Sequence, residues 1–335
     1  MAPATQQEYG IHALSVTLKN IPYSVYYEDQ KSVTRILPGE FRQVVDLLGL
    51  DSGEFRPCTS TRGATARRYR SAQTWRGLIN VYFDGYTSTN RDTVCVEIKG
   101  AAFEDVQLDW SEDDIRSICK AIAARYDYSP TEFHTYVDDR ICTLDFGFLI
   151  RLTTDHAYRG HCKSEIHNGR AAGDARSIAF GARPRRISIY ESGRHRYSGD
   201  SAELRGQDDE FLDYVRVEAQ LSDKVAGEAL SRFMAGENPG SIALSYVSDA
   251  VQFLVPGSDT NKARWKVQAW WSQFTQTAGE IPPRAKRKPA TLEGSFDYIV
   301  RKVNALCVQH TDAAVLPYLR QLLEEVETRA TLDTF

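Results

Sequence analysis

The stretch that decides the fold is Arg176–Leu221, RSIAFGARPRRISIYESGRHRYSGDSAELRGQDDEFLDYVRVEAQL. Two short segments of it, RISIYES (186–192) and YVRVEAQL (214–221), flank a long polar loop. Each alternates apolar and polar residues with a period of two, and this predicts strands with one buried face and one open face. The stretch therefore predicts two strands of a sheet whose second face is polar.

The polar face of these two strands carries chemically useful side chains. In the first strand Tyr190 lies on the face away from the apolar Ile187 and Ile189. In the second strand Arg216 and Glu218 lie on the face away from a set of valine, alanine and leucine side chains. If the strands share a sheet, a phenol, a guanidinium and a carboxylate are presented on the same side.

Two earlier segments show the same alternation. In Thr93–Lys99 (TVCVEIK), Glu97 lies on the face away from three apolar residues. In Ile141–Ile150 (ICTLDFGFLI), Asp145 lies on the face away from five residues of an apolar face. With Glu218, three carboxylates would converge on one sheet face, which suits a hard divalent cation such as Mg²⁺ or Mn²⁺. A tyrosine beside such a metal suits attack on a phosphodiester. The competing interpretation is that these are ordinary solvated residues of an antiparallel sheet.

Four blocks carry a resemblance to a known family: VCVEIKGAAFED, ICTLDFGF, AFGARPRRISIYESG and YVRVEAQL, in that order. They resemble the replication initiation factor family of rolling-circle plasmids and filamentous phages. By this resemblance the nucleophilic tyrosine falls on Tyr190 and the Arg-x-Glu pair on Arg216 and Glu218. The family's Asp-bearing strand falls on Asp145, and its first Glu-bearing strand on Glu97.

The resemblance implies a site-specific DNA nickase and strand transferase that initiates rolling-circle replication. Tyr190 would form a 5′-phosphotyrosine link, Mg²⁺ or Mn²⁺ would be held by Glu97, Asp145 and Glu218, and Arg216 and Arg183 would contact the phosphate. The partner would be double-stranded origin DNA with an exposed single-stranded nick site, with host helicase and polymerase and a homodimer as further expectations.

Two alternatives stay open. The family's lysine after the tyrosine is replaced by Ser192, and a family acid is replaced by Leu149. A catalytically impaired origin-binding protein or regulator on the same fold is therefore the second hypothesis. A relaxase of an integrative or conjugative element would share the chemistry and differ in biological context. Tyr197, seven residues after Tyr190, is a second tyrosine to consider as a nucleophile.

The formal net charge of −4 does not by itself indicate a nucleic-acid binder, but basic residues cluster locally. Cys58–Arg76 contains five arginines and no acid, and Arg151–Arg194 contains nine Lys or Arg against four Asp or Glu. Basic stretches beside a phosphodiester site favour contact with the DNA backbone. The predicted DNA-binding residues are Arg62, Arg67, Arg68, Arg70, Arg185 and Arg186.

The remaining composition excludes several classes. With 335 residues, 42% hydrophobic and 26% charged, the chain can bury a sizeable core and is not a disordered polymer. The six cysteines show no C-x-x-C spacing, and no His-x-His pair is present, so a zinc site or a two-histidine metal motif is not expected. No apolar run is long enough to span a membrane, and a cytoplasmic location is expected.

The predicted fold is α+β: an antiparallel β-sheet with helices on one face and an open active face, followed by a helical C-terminal region. We expect a catalytic nickase domain at 10–221 and a helical region at 222–335 with a basic linker at 281–290. Further strands are predicted at His12–Leu18 and Gly77–Asp84. Helices are predicted at Pro38–Leu50, from the capping box Ser111–Asp114 to about Ser129–Pro130, at Asp223–Ala235, at Ser241–Val255, and near the C-terminus at Ser295–Leu306 and Asp312–Thr328.

Overall fold

The computed structural model describes residues 7–21, 24–28, 32–36, 40–58, 67–103, 105, 108–141, 143–160, 164–167, 176–192 and 214–276. Arg62, Tyr197, the linker 281–290 and the two C-terminal predicted helices lie outside these residues. Among the described residues, no helix combines the length and the apolar character needed to cross a lipid bilayer.

A ten-stranded sheet organises the molecule, in the order β10-β11-β12-β13-β8-β1-β7-β6-β5-β4, and every neighbouring pair in it is antiparallel. Its strands are β1 (Glu8–Lys19), β4 (Arg56–Pro57), β5 (Tyr69–Trp75), β6 (Ile79–Gly85), β7 (Thr93–Lys99), β8 (Tyr128–Asp139), β10 (Ser164–His167), β11 (Ser177–Ala182), β12 (Arg185–Glu191) and β13 (Val215–Ser222). Two small two-stranded sheets pair β2 (Ser24–Glu28) with β3 (Ser32–Ile36) and β9 (Tyr158–Arg159) with β14 (Gln252–Phe253).

Seven α-helices accompany the sheet in the described part of the chain. They are α1 (Glu40–Leu47), α2 (Gly100–Phe103), α3 (Glu112–Arg125), α4 (Phe146–Thr154), α5 (Asp223–Met234), α6 (Pro239–Ala250) and α7 (Ala269–Gln276). Single 3-10 turns lie at Ser52–Glu54 and Lys262–Arg264. The predicted capping box is confirmed, because Ser111 and Asp114 bond reciprocally at the start of α3.

The helices α5 and α6 cover one face of the central strands β8 and β13. The core between them is built from alternate strand residues and the inner faces of the helices. Its members include Phe133, Val137, Val217, Ala219, Leu221, Ala226, Leu230, Phe233, Ile242 and Val247, all at most 1% exposed. Burying this apolar surface stabilises the fold by about 25 cal/mol per Å². The helices therefore cover the apolar face of these strands, and the polar side chains lie on the other face.

The predicted strand Ile141–Ile150 is wrong. Asp145 is the N-cap of α4, and its Oδ1 accepts a hydrogen bond from the backbone nitrogen of Phe148 at 2.9 Å. The buried residues of α4 are Phe146, Leu149, Leu152 and Thr153, which follow helical spacing. The apolar residues of this segment fit a helix as well as a strand, and an aspartate at an N-cap satisfies a backbone donor that the helix leaves unpaired.

The longest omission of the sequence prediction is β8, a twelve-residue strand at the centre of the sheet. The prediction ended the preceding helix near Pro130 and assigned the next strand to Ile141–Ile150. In the structure α3 ends at Arg125 and Pro130 lies within β8, where it pairs with Val16 beside an irregularity in the register. A proline at such an irregularity is tolerated because no regular ladder bond is required of its nitrogen.

Candidate active site on the open sheet face

The open face of β12, β13 and β8 presents one continuous set of polar side chains. The register places Tyr190 opposite Arg216, and Arg216 opposite Asp138. One step along the strands, Glu218 lies opposite Tyr136. Because successive side chains alternate between faces, these residues lie on the face that α5 and α6 leave uncovered. The predicted juxtaposition of tyrosine, arginine and glutamate on one side of the sheet is therefore observed.

Tyr190 is 8% exposed and donates a hydrogen bond from its hydroxyl to Oε2 of Glu218 at 2.9 Å. Burial and the negative charge of Glu218 raise the pKa of Tyr190 well above 10, although Arg216 opposes the shift. The phenol is therefore protonated at neutral pH, and it can act as a nucleophile only if its proton is removed as it attacks. The nearest acceptor is the carboxylate to which it is already bonded.

Glu218 is 2% exposed and receives hydrogen bonds on both carboxylate oxygens. Oε2 accepts from Tyr190, while Oε1 accepts from Nε2 of Gln220 at 3.3 Å and lies 3.5 Å from Nδ1 of His134. Burial alone would raise the pKa of Glu218. The hydrogen bond with His134, the charges of His12 and His134 and the hydrogen bond with Tyr190 outweigh it and lower the pKa to about 2. Glu218 is therefore an anion at neutral pH, although its side chain is almost completely buried.

Arg216 forms a buried two-point ion pair with Asp138. Its Nε and Nη2 donate to the two carboxylate oxygens at 2.6 and 2.9 Å, and both side chains are at most 3% exposed. Its guanidinium carbon lies 3.6 Å from the ring centroid of Tyr136. Asp138 thus accepts hydrogen bonds from two guanidinium nitrogens that the predicted phosphate contact would use. The arrangement favours a structural role for Arg216, in which its ion pair with Asp138 connects β13 to β8 as a strut. The role of Arg216 at phosphate stays a prediction.

A bulge in β1 adds a histidine to the same face. The pairing of β1 with β8 skips one residue between Ile11 and Ala13, and His12 is the extra residue. Its Nδ1 lies 3.4 Å from Nη1 of Arg216, and its ring meets Tyr136 edge-on with centroids 6.3 Å apart. Bulges re-aim a side chain without ending the sheet, and here the bulge places an imidazole beside the Arg216–Asp138 pair.

Glu97 lies on the open face as predicted, but in a separate cluster. Its Oε2 accepts hydrogen bonds from Tyr82 and Asn80, each at 2.7 Å, and its Oε1 accepts from Nη2 of Arg67 at 2.5 Å. The same Arg67 nitrogen donates to Oε2 of Glu132 at 3.0 Å. Burial acts to raise the pKa of Glu97, but these hydrogen bonds and the arginine charge lower it overall. Arg67 is therefore an internal counter-ion for two carboxylates.

We expect Arg67→Met to lower the free energy of unfolding by about 2 kcal/mol. The change leaves Glu97 and Glu132 as facing anions without their shared cation, and the 3–5 kcal/mol cost of breaking a buried pair is reduced here by partial exposure. Urea denaturation would measure it. Arg68→Met, which removes an exposed neighbouring arginine, is the matched control, and equal stability of the two variants would contradict the counter-ion role.

The predicted three-carboxylate metal site is not assembled in the described structure. Glu97 on β7 and Glu218 on β13 are separated by three strand spacings, about 14 Å. Asp145 is at a helix N-terminus rather than on a strand. Within the described ranges, no group of three or more histidine, cysteine, aspartate or glutamate side chains converges closely enough to hold a metal ion. The residues predicted to bind the metal therefore do not fit a shared site here, and their metal-binding role stays a prediction.

The predicted DNA-contacting arginines are distributed over both faces. Arg186 pairs with Gln220 and so lies on the open face, whereas Arg185 bonds Asp249 of α6 at 2.6 Å on the helical side. Arg183 lies in the turn before β12, where its Nε donates to Ser222. Arg185 and Tyr190 are about 17 Å apart along the strand, and Arg183 lies beyond Arg185. The expectation that Arg183 assists at Tyr190 is therefore not supported by its position.

Arg68 and Arg70 are exposed at the start of β5, as a DNA-contacting role requires. Arg70 bonds the buried Asp84 at 3.3 Å, but its own side chain remains 58% exposed. The backbone oxygen of Arg68 accepts a hydrogen bond from the Asn90 amide at 2.6 Å, which fixes this corner to the turn after β6. These two arginines are accessible for the predicted contact, whereas Arg67 is bonded to two carboxylates, and the DNA-binding role of all three stays a prediction.

Sequence reasoning missed the residues that β8 contributes. They are Glu132, His134, Tyr136 and Asp138, which alternate with Phe133, Thr135 and Val137 on the buried face. The period-two alternation in EFHTYVD and its content of Phe, Thr, Tyr and Val were a sufficient signal for a strand. His12 could not have been found this way, because a bulge is not visible in the hydropathy pattern.

Two comparisons with known proteins bear on the fold and on the segment that carries the site. The sequence profile of the family described as replication initiation factor matches residues 150–315, which include Tyr190, Arg216 and Glu218. The resemblance to this family is confirmed, and so is the predicted α+β class with a large antiparallel sheet.

One solved structure similar to this chain is that of the rolling circle replication initiator protein from Geobacillus stearothermophilus. The two share a TM-score of 0.63 and 18% sequence identity, over 84% of this chain and 100% of the other. At this identity the likeness shows the fold. No curated protein sequence matches the chain significantly.

Proposed function

We propose that this protein is a DNA nickase and strand transferase that initiates rolling-circle replication through a 5′-phosphotyrosine intermediate. The observation that carries the proposal is the hydrogen bond from Tyr190 to the buried anion Glu218 at 2.9 Å. It pairs a nucleophile with a proton acceptor inside the segment that matches the family. This pairing is the arrangement that activates weakly acidic hydroxyl nucleophiles.

The reaction follows from this pair. The Tyr190 oxygen attacks the scissile phosphorus while its proton passes to Oε2 of Glu218. The bond from phosphorus to the 3′-oxygen breaks, so the DNA is left with a free 3′-hydroxyl and a 5′-phosphate attached to the protein. The 3′-hydroxyl then serves host polymerase, and attack of a 3′-hydroxyl on the phosphotyrosine rejoins a strand without ATP.

The partner we propose is origin DNA whose nick site is exposed as a single strand. Tyr190 and Glu218 are almost fully buried in the sheet face, so a base-paired phosphate in a rigid duplex has poor access to them. A helicase and a homodimer remain part of the proposal from the family resemblance alone.

A supercoiled plasmid carrying the cognate origin tests this function. Incubation with the protein and Mn²⁺ is expected to give open-circular product with protein attached to the 5′ end. Binding without nicking would support the second hypothesis, an origin-binding protein or regulator that has lost its chemistry. The replacement of the family lysine by Ser192 is the observation that favours that second hypothesis.

We also propose a divalent-cation requirement, which rests on the family resemblance and not on a ligand set in this structure. We expect nicking to be lost in EDTA and restored by Mg²⁺ or Mn²⁺. The plasmid assay measures it directly, with origin binding in EDTA as the control. Full nicking in EDTA would remove the cation from the proposal and leave the Tyr190–Glu218 chemistry in place.

Charge reversal at Arg68 and Arg70 is expected to weaken origin binding and to flatten its dependence on salt. Each lost phosphate contact should reduce the slope of log K against log salt concentration by close to one unit. The measurement is a fluorescence anisotropy titration at several salt concentrations. Lys99→Glu is the control, because that exposed lysine bonds the backbone oxygen of Gly77 instead. Unchanged affinity and slope in the arginine variants would show that this corner is ordinary solvated surface.

A further inference from the structure

Tyr86 has the most exposed aromatic ring in the described part of the chain. It is 44% exposed, whereas every other phenylalanine, tyrosine and tryptophan whose side chain the structure describes is partly or fully buried. It directly follows β6, at the start of the turn that leads to β7. A single exposed apolar side chain is common on protein surfaces, so the meaning of this one depends on its surroundings.

Arginines surround the Tyr86 ring. Arg68 and Arg70 are exposed at the start of β5, which pairs with β6, and the guanidinium carbon of Arg70 lies 5.9 Å from the centre of the ring. Arg70 bonds Asp84, but that carboxylate is only 4% exposed, so the charge presented outward is the positive one. The exposed Arg91–Asp92 pair at the end of the turn adds no net charge. The corner therefore combines an exposed aromatic ring with positive charge.

The side chain of Asn90 fixes the backbone around Tyr86. Its Oδ1 accepts a hydrogen bond from the backbone nitrogen of Thr87 at 2.9 Å, and its Nδ2 donates to the backbone oxygen of Arg68 at 2.6 Å. Arg68 has a φ of 63°, in the left-handed region, and this bond helps to hold it there. A Cβ on Gly85 would stand 1.9 Å from the backbone oxygen of Asn90, so the turn also packs closely. The ring and the arginines thus belong to one pre-formed corner, which lowers the entropy lost on binding.

We propose that Tyr86 stacks on an unpaired base of single-stranded DNA, and that Arg68 and Arg70 contact the phosphates that flank this base. This inference rests on the proposed function for its partner and adds a binding contact outside the Tyr190 site. Proteins hold single strands with aromatic rings beside positive charge, because every base has a π face and every linkage carries a negative charge. The bases of a duplex are stacked on one another, so Tyr86 distinguishes an unpaired strand from a paired one.

The corner lies away from the nucleophile. β6 is five strand spacings from β12, about 24 Å across the sheet. Tyr190 is in register with Glu8 at the start of β1, whereas Tyr82 of β6 is in register with Thr17 near its end. The base that Tyr86 holds is therefore not the nucleotide at the nick. Loss of the ring should lower DNA affinity and leave the chemistry of bound DNA unchanged.

A protein or a free phosphate fits this corner less well than a single strand. The centre of a protein interface is mostly apolar, and the neighbouring turn residues Gly85, Thr87, Ser88 and Thr89 offer no large apolar side chain beside the ring. A free phosphate would use the arginines and leave the ring without a role. A base with its flanking phosphates uses both.

The experiment compares two DNA strands of equal length that carry the same phosphates, one built of thymidine and one of abasic residues. Fluorescence anisotropy at one salt concentration measures the affinity for each. We expect Tyr86→Leu to weaken binding of the thymidine strand by about 5- to 150-fold, the range expected for the loss of one stacked base. Its affinity for the abasic strand should be unchanged, because the phosphate contacts remain. Tyr86→Phe keeps the ring and should bind both strands as the wild type does.

A second tyrosine near arginines supplies the matched control. The ring of Tyr246 on α6 lies 6.0 Å from the guanidinium carbon of Arg185 and 5.7 Å from that of Arg232, but on the helical side of the sheet. Tyr246→Leu should leave both affinities unchanged. Thermal unfolding checks that the variants are folded, and Tyr86→Ser replaces Tyr86→Leu if the latter is not.

The outcomes separate this inference from the proposed function. Equal weakening of binding to both strands by Tyr86→Leu, or no weakening for either, would overturn the stacking role. A wild-type protein that nicks the origin plasmid but binds neither strand would overturn the stacking role alone. A protein that shows the expected dependence on Tyr86 but does not nick would overturn the proposed function and retain the stacking contact.

Discussion

Tyr190→Phe is expected to abolish nicking and the covalent DNA–protein adduct while leaving origin binding near the wild-type level. The variant keeps the buried ring and removes the only atom that forms the bond to phosphorus. Loss of a nucleophile in other covalent enzymes lowers the rate by about 10⁶-fold, so the residual rate should fall below detection in a plasmid assay.

The stability cost of this change should be small. Glu218 loses one hydrogen-bond donor, Tyr190, but retains Gln220 and His134 on its other oxygen. A net loss of about 1 kcal/mol is typical of removing one such bond. A loss of activity far beyond any loss of stability is therefore the signature of a nucleophile rather than of a packing residue.

Two tyrosines serve as controls for the assignment. Tyr214 is buried, receives a hydrogen bond from Ser192 and flanks the same site, so Tyr214→Phe should keep the adduct. Tyr197→Phe should keep it as well. The measurement is denaturing gel electrophoresis of labelled origin DNA, followed by peptide mass mapping of the adduct. An adduct that survives Tyr190→Phe, or that maps to Tyr197, would contradict the assignment.

The sequence predicted the part of the site that depends on strand periodicity. Tyr190, Arg216 and Glu218 lie on strands whose apolar residues alternate without interruption, so their common face follows from the pattern alone. Their partners were not predicted, because hydrogen-bond partners are set by strand order. The order β12-β13-β8-β1-β7 brings Asp138 to Arg216 across 78 residues of sequence, and nothing local specifies that distance.

Two features of the structure were not visible in the local sequence. The segment around Asp145 satisfies both a two-residue and a helical spacing, and short apolar runs do not distinguish a strand from a helix. Its aspartate was predicted to lie on the polar face of a strand and is a helix cap. Arg67 was predicted to contact DNA from its place in an arginine-rich stretch. Composition does not show that it lies between Glu97 and Glu132, whose charges it neutralises.

The second prediction with a large expected effect concerns the ion pair between Arg216 and Asp138. We expect Asp138→Leu to lower the free energy of unfolding by about 3–5 kcal/mol, because it leaves a guanidinium uncompensated in a nearly dry interior. Replacing both members with leucine should recover most of this loss, since an apolar pair of similar volume no longer pays the desolvation cost of two charges. Urea denaturation of the two single variants and the double variant measures the coupling.

An exposed ion pair supplies the matched control. Asp127 bonds Lys19 at 3.5 Å with both side chains more than 40% exposed, and Asp127→Leu should cost less than about 1 kcal/mol. A cost for Asp138→Leu as small as this would show that the buried pair is not a structural strut.

The same double variant decides what Arg216 does for catalysis. If Arg216 is a strut between β13 and β8, a stable Asp138→Leu/Arg216→Leu protein should bind origin DNA and still form the Tyr190 adduct. If Arg216 instead stabilises the charge that develops on the phosphate, the double variant should be folded and bind DNA but nick about 10²- to 10³-fold more slowly. The buried geometry, with two of the guanidinium nitrogens bonded to Asp138, leads us to expect the first result. A folded double variant that forms no adduct would assign Arg216 to the transition state, as the family resemblance implies.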